Sequence, residues 1–203
     1  YSNGISWQSN RRKGKSYSAW LQVRIQRLVG PVLPLIVMWI VLGAGEQWLG
    51  LRPEMVKVAS QMALIPIWFL AVYVFVVVLV PLTYAAWKRF GFLSFAVLVI
   101  AAIANDVLFF AADLRSLGWL NYAFVWLAVH QLGYAWRDGY LAGVRQGLSW
   151  VLAGALVLVG LITIGPYPVS MVSVPGQEIS NTLPPKISML ALGIVQCGLL
   201  LSI

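Results

Sequence analysis

The sequence predicts an all-α, polytopic bundle of membrane helices. Of its 203 residues, 61% are hydrophobic and only 10% are charged, with a mean hydropathy of +0.84. No soluble domain of this size could hide that much apolar surface. Six largely uncharged stretches approach the roughly 20 residues that a helix needs to cross a hydrocarbon core of about 30 Å. Lysine and arginine gather on alternate connections between these stretches, the asymmetry that membrane insertion imposes.

The first span is expected over residues 28–50, with Pro31 and Pro34 in its opening turns, where a helix tolerates a missing N–H. The second, 62–84, contains the unbroken apolar run Val74 to Val80. Further spans follow at 92–112, 120–135, 148–165 and 187–203. Residues 1–23, with Arg11-Arg12-Lys13-Gly14-Lys15, form a basic segment read as flexible or surface-lying, and residues 24–203 form the membrane domain. The connection 166–186 is proline-punctuated yet apolar at its start, so it is expected to dip into the membrane surface or pack on the bundle. It then carries a hydrogen-bonding cluster of Gln177, Glu178, Ser180 and Asn181.

Orientation follows from where the cations lie. One set of connections holds Arg11, Arg12, Lys13, Lys15, Arg24, Arg27, Lys88, Arg89, Arg137 and Arg145; the other holds Arg52, Lys57, Arg115 and Lys186. The positive-inside rule makes the first set cytoplasmic, with both ends of the sequence inside a plasma membrane and Glu54, Asp113 and Glu178 outside. The net charge of +8 is therefore a topology signal and argues against a nucleic-acid partner, because the basic residues form no folded basic domain. The single cysteine, Cys197, excludes an internal disulfide, and the single histidine, His130, excludes a multi-histidine metal site. The polar opening residues do not read as a signal peptide. Because the sequence opens on Tyr1 and closes inside an apolar run, it is expected to be an internal piece of a longer protein.

Two intramembrane features carry chemistry. Trp126, His130 and Tyr134 recur every fourth residue, and Arg137 continues the stripe toward the inner surface. Such a stripe faces the bundle or a water-filled cavity. His130 is either a proton relay or a ligand contact, or a neutral imidazole bonded to a neighbouring helix. Asn105-Asp106 lies toward the outer part of the third span, where Asp106 either serves a functional site, pairs with an arginine of further helices, or is a structural partner near the outer interface. The terminal aromatics Trp39, Trp48, Trp87, Trp119 and Trp150 read as an interfacial belt. On these residues alone a transporter or flippase subunit for an envelope glycolipid stays open, although no inverted repeat links the two halves. A scaffolding subunit would need small-residue helix faces, of which Gly43 and Gly160 offer little.

Arg24-Ile25-Gln26-Arg27 ahead of a helix, Trp68-Phe69-Leu70 in the next, the run from Trp119 through His130 to Gly139, and Gly165-Pro166-Tyr167-Pro168 with Pro175-Gly176 and Ser180-Asn181 after it resemble the membrane acyltransferase-3 family of actinobacterial type. The resemblance implies a ten-helix domain that moves an acetyl- or succinyl-type group from cytoplasmic acyl-CoA to a carbohydrate or glycolipid hydroxyl across the membrane, without a metal. It implies donor-binding roles for Arg24, Arg27, Tyr134 and Arg137, and acceptor-side roles for Gln177, Glu178 and Asn181. Guanidinium forks suit phosphate oxygens, and a spacing of three puts Arg24 and Arg27 on one helix face; ordinary positive-inside anchoring is the other reading of that pair. The family's catalytic histidine follows a basic residue by about ten positions in a helix expected upstream. His130 does not fit that pattern, since Leu120 or Trp119 stands at the basic position, so the catalytic group is left open with His130 and Asp106 as candidates. The chain also has Val72 and Tyr73 where many relatives carry a glutamate.

Overall fold

The computed structural model describes residues 2–45, 68–140, 143–172 and 178–201. These are helical apart from turns, connecting loops and one isolated bridge between Thr182 and Pro185. The chain divides into two compact units, Ile5–Val80 and Tyr1–Gly4 with Pro81–Ile203.

In the first unit, which takes α1 (Ser2–Arg12) from Ile5 onward, α1 and α2 (Tyr17–Val29) are joined by a short turn at residues 13–16. The basic segment that reads as flexible or surface-lying from sequence is thus largely helical. It folds because Trp7 packs edge-on against Tyr17 and Trp20, with centroids 5.8 and 5.5 Å apart, and because the Trp20 indole N–H donates to the Ser6 hydroxyl at 3.0 Å. Trp20 also joins Val77 and Val80 in a small core against which Leu21, Leu28 and Tyr73 pack. At Pro31 the helix tightens into a 3-10 turn, Gly30–Val32, and resumes as α3 (Leu33–Ala44) with Pro34 in its first turn. Proline has no N–H to give the preceding turn, so a tightened helix is the expected accommodation. No residue of α3 is buried within the chain, as suits a helix whose apolar surface faces lipid or further helices. The unit ends on α4 (Trp68–Val78).

The second unit opens with α5 (Val80–Phe90), which stops at Gly91, where φ is +55° and a side chain would be strained. α6 (Phe92–Ala111) buries Phe95, Ala102, Asn105 and Asp106. A 3-10 segment, Arg115–Leu120, leads into α7 (Asn121–Arg137), which buries eight of its residues and is the most enclosed helix described. α8 (Val144–Ile164) buries only Gly147 and Gly154, and runs along α9 (Ile187–Leu201). α6 packs on α7, and α7 on α9.

The expected count of six spans is corrected. Among the described residues three helical stretches are long and apolar enough to cross a membrane: Tyr17–Ala44, α6 and α8; α4 and α5 make a fourth if they are one span broken at Leu79. The helix that carries the first expected span begins at Tyr17, and its apolar window lies within Tyr17–Ala44. Helices do form where the fourth and sixth spans are expected, but α7 has 17 residues and α9 has 15, about 26 and 22 Å of helix against a core of about 30 Å. α7 is also interrupted by Asn121, His130 and Gln131, which an enclosed helix can carry because protein rather than lipid surrounds it.

Small residues set the closest helix approach. A Cβ built on Gly154 of α8 would meet Ile194 and Val195 at 3.0 Å, and one on Gly198 of α9 would meet Val151 at 2.8 Å and the Gly147 carbonyl at 3.0 Å. In a bilayer such contacts, rather than a hydrophobic drive, hold helices together. Gly43 and Gly160, the glycines that stand out in the sequence, have open space around them. Gly154→Leu should destabilise the protein by about 1–3 kcal/mol through overpacking, read as a lowered unfolding midpoint in detergent, whereas Gly160→Leu should leave the midpoint unchanged.

Candidate functional site

In the first unit the turn between α1 and α2 opens beside a cavity of about 430 Å³. Lys13, Lys15, Arg24 and Arg27 line it, with Asn10, Ser6 and Ser9 adding polar groups and Trp20 and Val23 an apolar wall. Arg24 and Arg27 thus share one helix face and one cavity, as their spacing predicts, and the Arg24 guanidinium lies 6.0 Å from the Trp20 ring centroid. Among the described residues none of the four cations has an acidic partner within 4.0 Å. Lys13 and Lys15 were read in the sequence only as part of a basic run. Their placement depends on α1 folding back onto α2, which the widely spaced aromatics Trp7, Tyr17 and Trp20 alone could have hinted at.

In the second unit the stripe along α7 assembles in part. The imidazole of His130 meets the Tyr134 ring edge-on at 5.1 Å, and the Arg137 guanidinium lies 5.8 Å from Tyr134 and 5.2 Å from Tyr84. The Tyr134 hydroxyl is 3.3 Å from the Thr83 hydroxyl. Neither ring nitrogen of His130 has a hydrogen-bond partner among the described residues. Arg137 Nε donates to Asp138 at 2.8 Å, and the Trp87 indole donates to the same carboxylate at 2.7 Å. Those bonds, Arg137's first, hold the Asp138 carboxyl below the usual carboxylate range.

Asp106 organises the other polar centre of this unit. It is 1% exposed, and a carboxylate so placed must be compensated from within the protein. Its Oδ1 accepts from Asn121 Nδ2 at 2.8 Å; its Oδ2 accepts from the Tyr167 hydroxyl at 3.0 Å and from the backbone N–H of Ile187 at 2.8 Å. The Lys186 ammonium, fully buried, stands 4.0 Å from Oδ1 and 3.0 Å from the Phe109 ring centroid. These contacts tie Asp106 to the start of α7, to the loop and to the start of α9. The sequence reading missed Asn121, Tyr167 and Lys186 as its partners. The available signal was a lone acid inside an apolar stretch and a lone lysine immediately before another.

Asn181 is fully buried, and both of its amide hydrogens are engaged, donating to the carbonyls of Pro168 and Ser170 at 2.6 and 2.9 Å. Its Oδ1 accepts from the Ser188 hydroxyl at 2.7 Å. Asn181 therefore clasps the two limbs of the loop to the start of α9. Glu178 is exposed, and Gln177 lies outside the described residues.

Asp106→Ala should cost about 3–5 kcal/mol, because it leaves a buried ammonium uncompensated; adding Lys186→Met should restore part of that loss, as unfolding midpoints in detergent will report. Burial pushes the Lys186 ammonium down to about 8, against the opposing pull of Asp106. The unfolded chain keeps that proton up to the ordinary 10.5. Between about pH 8 and 10.5 the unfolded state binds the extra proton, so this group's contribution to stability rises with pH. Comparing unfolding midpoints across that range, Lys186→Met should show a shallower rise than the unaltered protein.

Comparisons with known proteins come down on one family. Comparison with curated proteins and comparison with solved structures each return no match. A family model described as an acyltransferase domain matches residues 2–203, nearly the whole chain. Together with its long apolar helices, that match identifies the protein as a membrane protein belonging to the acyltransferase-3 family.

Proposed function

We propose that this chain works in an integral membrane O-acyltransferase that moves an acetyl- or succinyl-type group from cytoplasmic acyl-CoA to a hydroxyl of an envelope carbohydrate or glycolipid. The observation that carries the donor half is the cavity beside Arg24 and Arg27, lined by four cations with no acidic partner among the described residues. The donor brings phosphate groups, and guanidinium forks bind their oxygens in pairs. The positive-inside rule puts this end of α2 at the cytoplasmic face, where acyl-CoA is found.

The reaction forms an ester C–O bond and breaks the thioester C–S bond. The acceptor's proton passes to a base and on to the leaving thiolate. The resemblance assigns that base to a histidine outside these residues. The part played by this chain is to hold the donor and frame the acceptor. Arg24 and Arg27 anchor the phosphates; the His130, Tyr134 and Arg137 stripe forms a polar path along α7; and the loop clasped by Asn181 bounds the acceptor side, where Glu178 is exposed. The break at Leu79 is a feature that a transporter would also use, but family membership favours acyl transfer.

Titrating acetyl-CoA into the purified full-length protein in detergent should give saturable binding. The Arg24→Ala/Arg27→Ala variant should weaken it at least about tenfold, given roughly 1.5–3 kcal/mol for each bond to a charged group. Equal affinity in both proteins would remove the arginine pair from the donor site. No binding by either would turn the reading toward transport.

A further inference from the structure

The cavity between α1 and α2 holds more positive charge than a single phosphate group needs, and that charge stands in two groups. Lys13 and Lys15 lie on the turn ahead of α2. Arg24 and Arg27 lie further along the helix, about 12 and 16 Å past Ser16 at 1.5 Å per residue. All four line the same cavity. One small anion cannot engage both groups closely, whereas a ligand with phosphates at two points can.

The lysine group is also built into an ordered turn. Asn10 Nδ2 donates to the carbonyls of Lys15 and Ser16 at 3.1 and 3.2 Å. The backbone N–H of Lys13 donates to Ser9 at 3.1 Å, and that of Lys15 to Asn10 at 3.2 Å. Gly14 sits at φ +66° with nothing within 4 Å of where a Cβ would be, a conformation that glycine takes without strain. Ser16 then caps α2 by accepting from the Ala19 N–H at 3.3 Å. Positive-inside topology asks only for cations near a helix end; it does not ask for a closed turn that carries two of them to the rim of a cavity.

We infer that Lys13 and Lys15 form a second phosphate subsite in this cavity and that it takes the ribose 3′-phosphate of the donor, leaving the 5′-diphosphate to Arg24 and Arg27. The assignment rests on acyl-CoA being the donor. It follows the chemistry of the two side chains: an ammonium is a compact point charge suited to a terminal phosphate dianion, whereas the planar guanidinium pairs with the adjacent oxygens of a diphosphate. The consequence is a preference for CoA over its analogue lacking only the 3′-phosphate.

The test titrates acetyl-CoA and acetyl-dephospho-CoA into the full-length protein in detergent. The unaltered protein should bind acetyl-CoA at least tenfold more tightly. Lys13→Gln/Lys15→Gln should abolish that preference by weakening acetyl-CoA alone, while Arg24→Gln/Arg27→Gln should weaken both ligands. Lys13→Arg/Lys15→Arg keeps the charge and should keep the preference, which decides the matter if the glutamine pair lowers helix content. Equal affinity of the unaltered protein for the two ligands, or equal weakening of both by the lysine variant, would overturn the subsite and leave the donor reading intact. No binding of either ligand would overturn the donor reading and the subsite with it. A parallel arm measures association with phosphatidylglycerol vesicles. If the lysine variant loses vesicle association but keeps its full affinity for acetyl-CoA, the turn binds lipid headgroups and the inference falls.

Discussion

The larger of the two units depends on the burial of one carboxylate. Asp106 has given up water for three hydrogen bonds, and its donors come from three places far apart in sequence: Asn121 at the start of α7, Tyr167 in the long loop, and the backbone of Ile187 at the start of α9. A buried acid with fewer partners would cost several kcal/mol, so each of those elements is held where it can keep its bond. The Ile187 N–H is also one of the orphan donors at a helix start, and a negative charge there is favoured by the helix dipole. Asp106 thus caps α9 from a helix 81 residues away in sequence. Lys186, next to that cap, brings the compensating charge without a hydrogen bond of its own among the described residues, and rests on Phe109 instead.

The loop is secured by the same economy of polar groups. Its first limb offers the carbonyls of Pro168 and Ser170, and its second offers Asn181, whose amide joins them while Ser188 holds the amide oxygen. A loop in this setting cannot leave buried backbone groups unpaired. The proline-rich composition that reads as a surface-dipping segment is therefore accompanied by a set of side chains that make such burial tolerable. Tyr167 belongs to both arrangements. Burial and the facing Asp106 raise its hydroxyl above the ordinary range for tyrosine, which keeps it protonated and able to donate.

Hydropathy placed both ends of α6 and the C-terminal end of α8 within a residue, because both helices are predominantly apolar. It began α8 at 148 where the helix starts at Val144, since Arg145 and Gln146 lower the hydropathy of its first turn. It also placed α7 within two residues of its ends, but did not show its enclosure. An enclosed helix may carry Asn121, His130 and Gln131. α1 was not legible at all, since Ser, Asn and Gln dominate it and its hold on α2 comes from Trp7 meeting Tyr17 and Trp20. Asp106 and Arg24-Arg27 could be singled out by type and position. Their partners could not, because contacts across 15, 61 and 81 residues leave no local pattern to read.

The two polar centres differ in the way their charge is balanced, and that difference bears on what each can do. Around Asp106 both carboxylate oxygens are engaged by donors among the described residues and the nearby charge of Lys186 opposes its own, so the centre holds α6, α7, α9 and the loop in register. Around Arg24 and Arg27 the balance is open: four cations line a cavity with no acidic partner among the described residues, and exposed lysines and arginines repel one another unless an anion arrives. Salt or lipid headgroups relieve that repulsion loosely. A ligand carrying several phosphates would neutralise several of these charges in one binding event, and the ordered turn at Gly14 and the helical face of α2 fix the backbone from which they project.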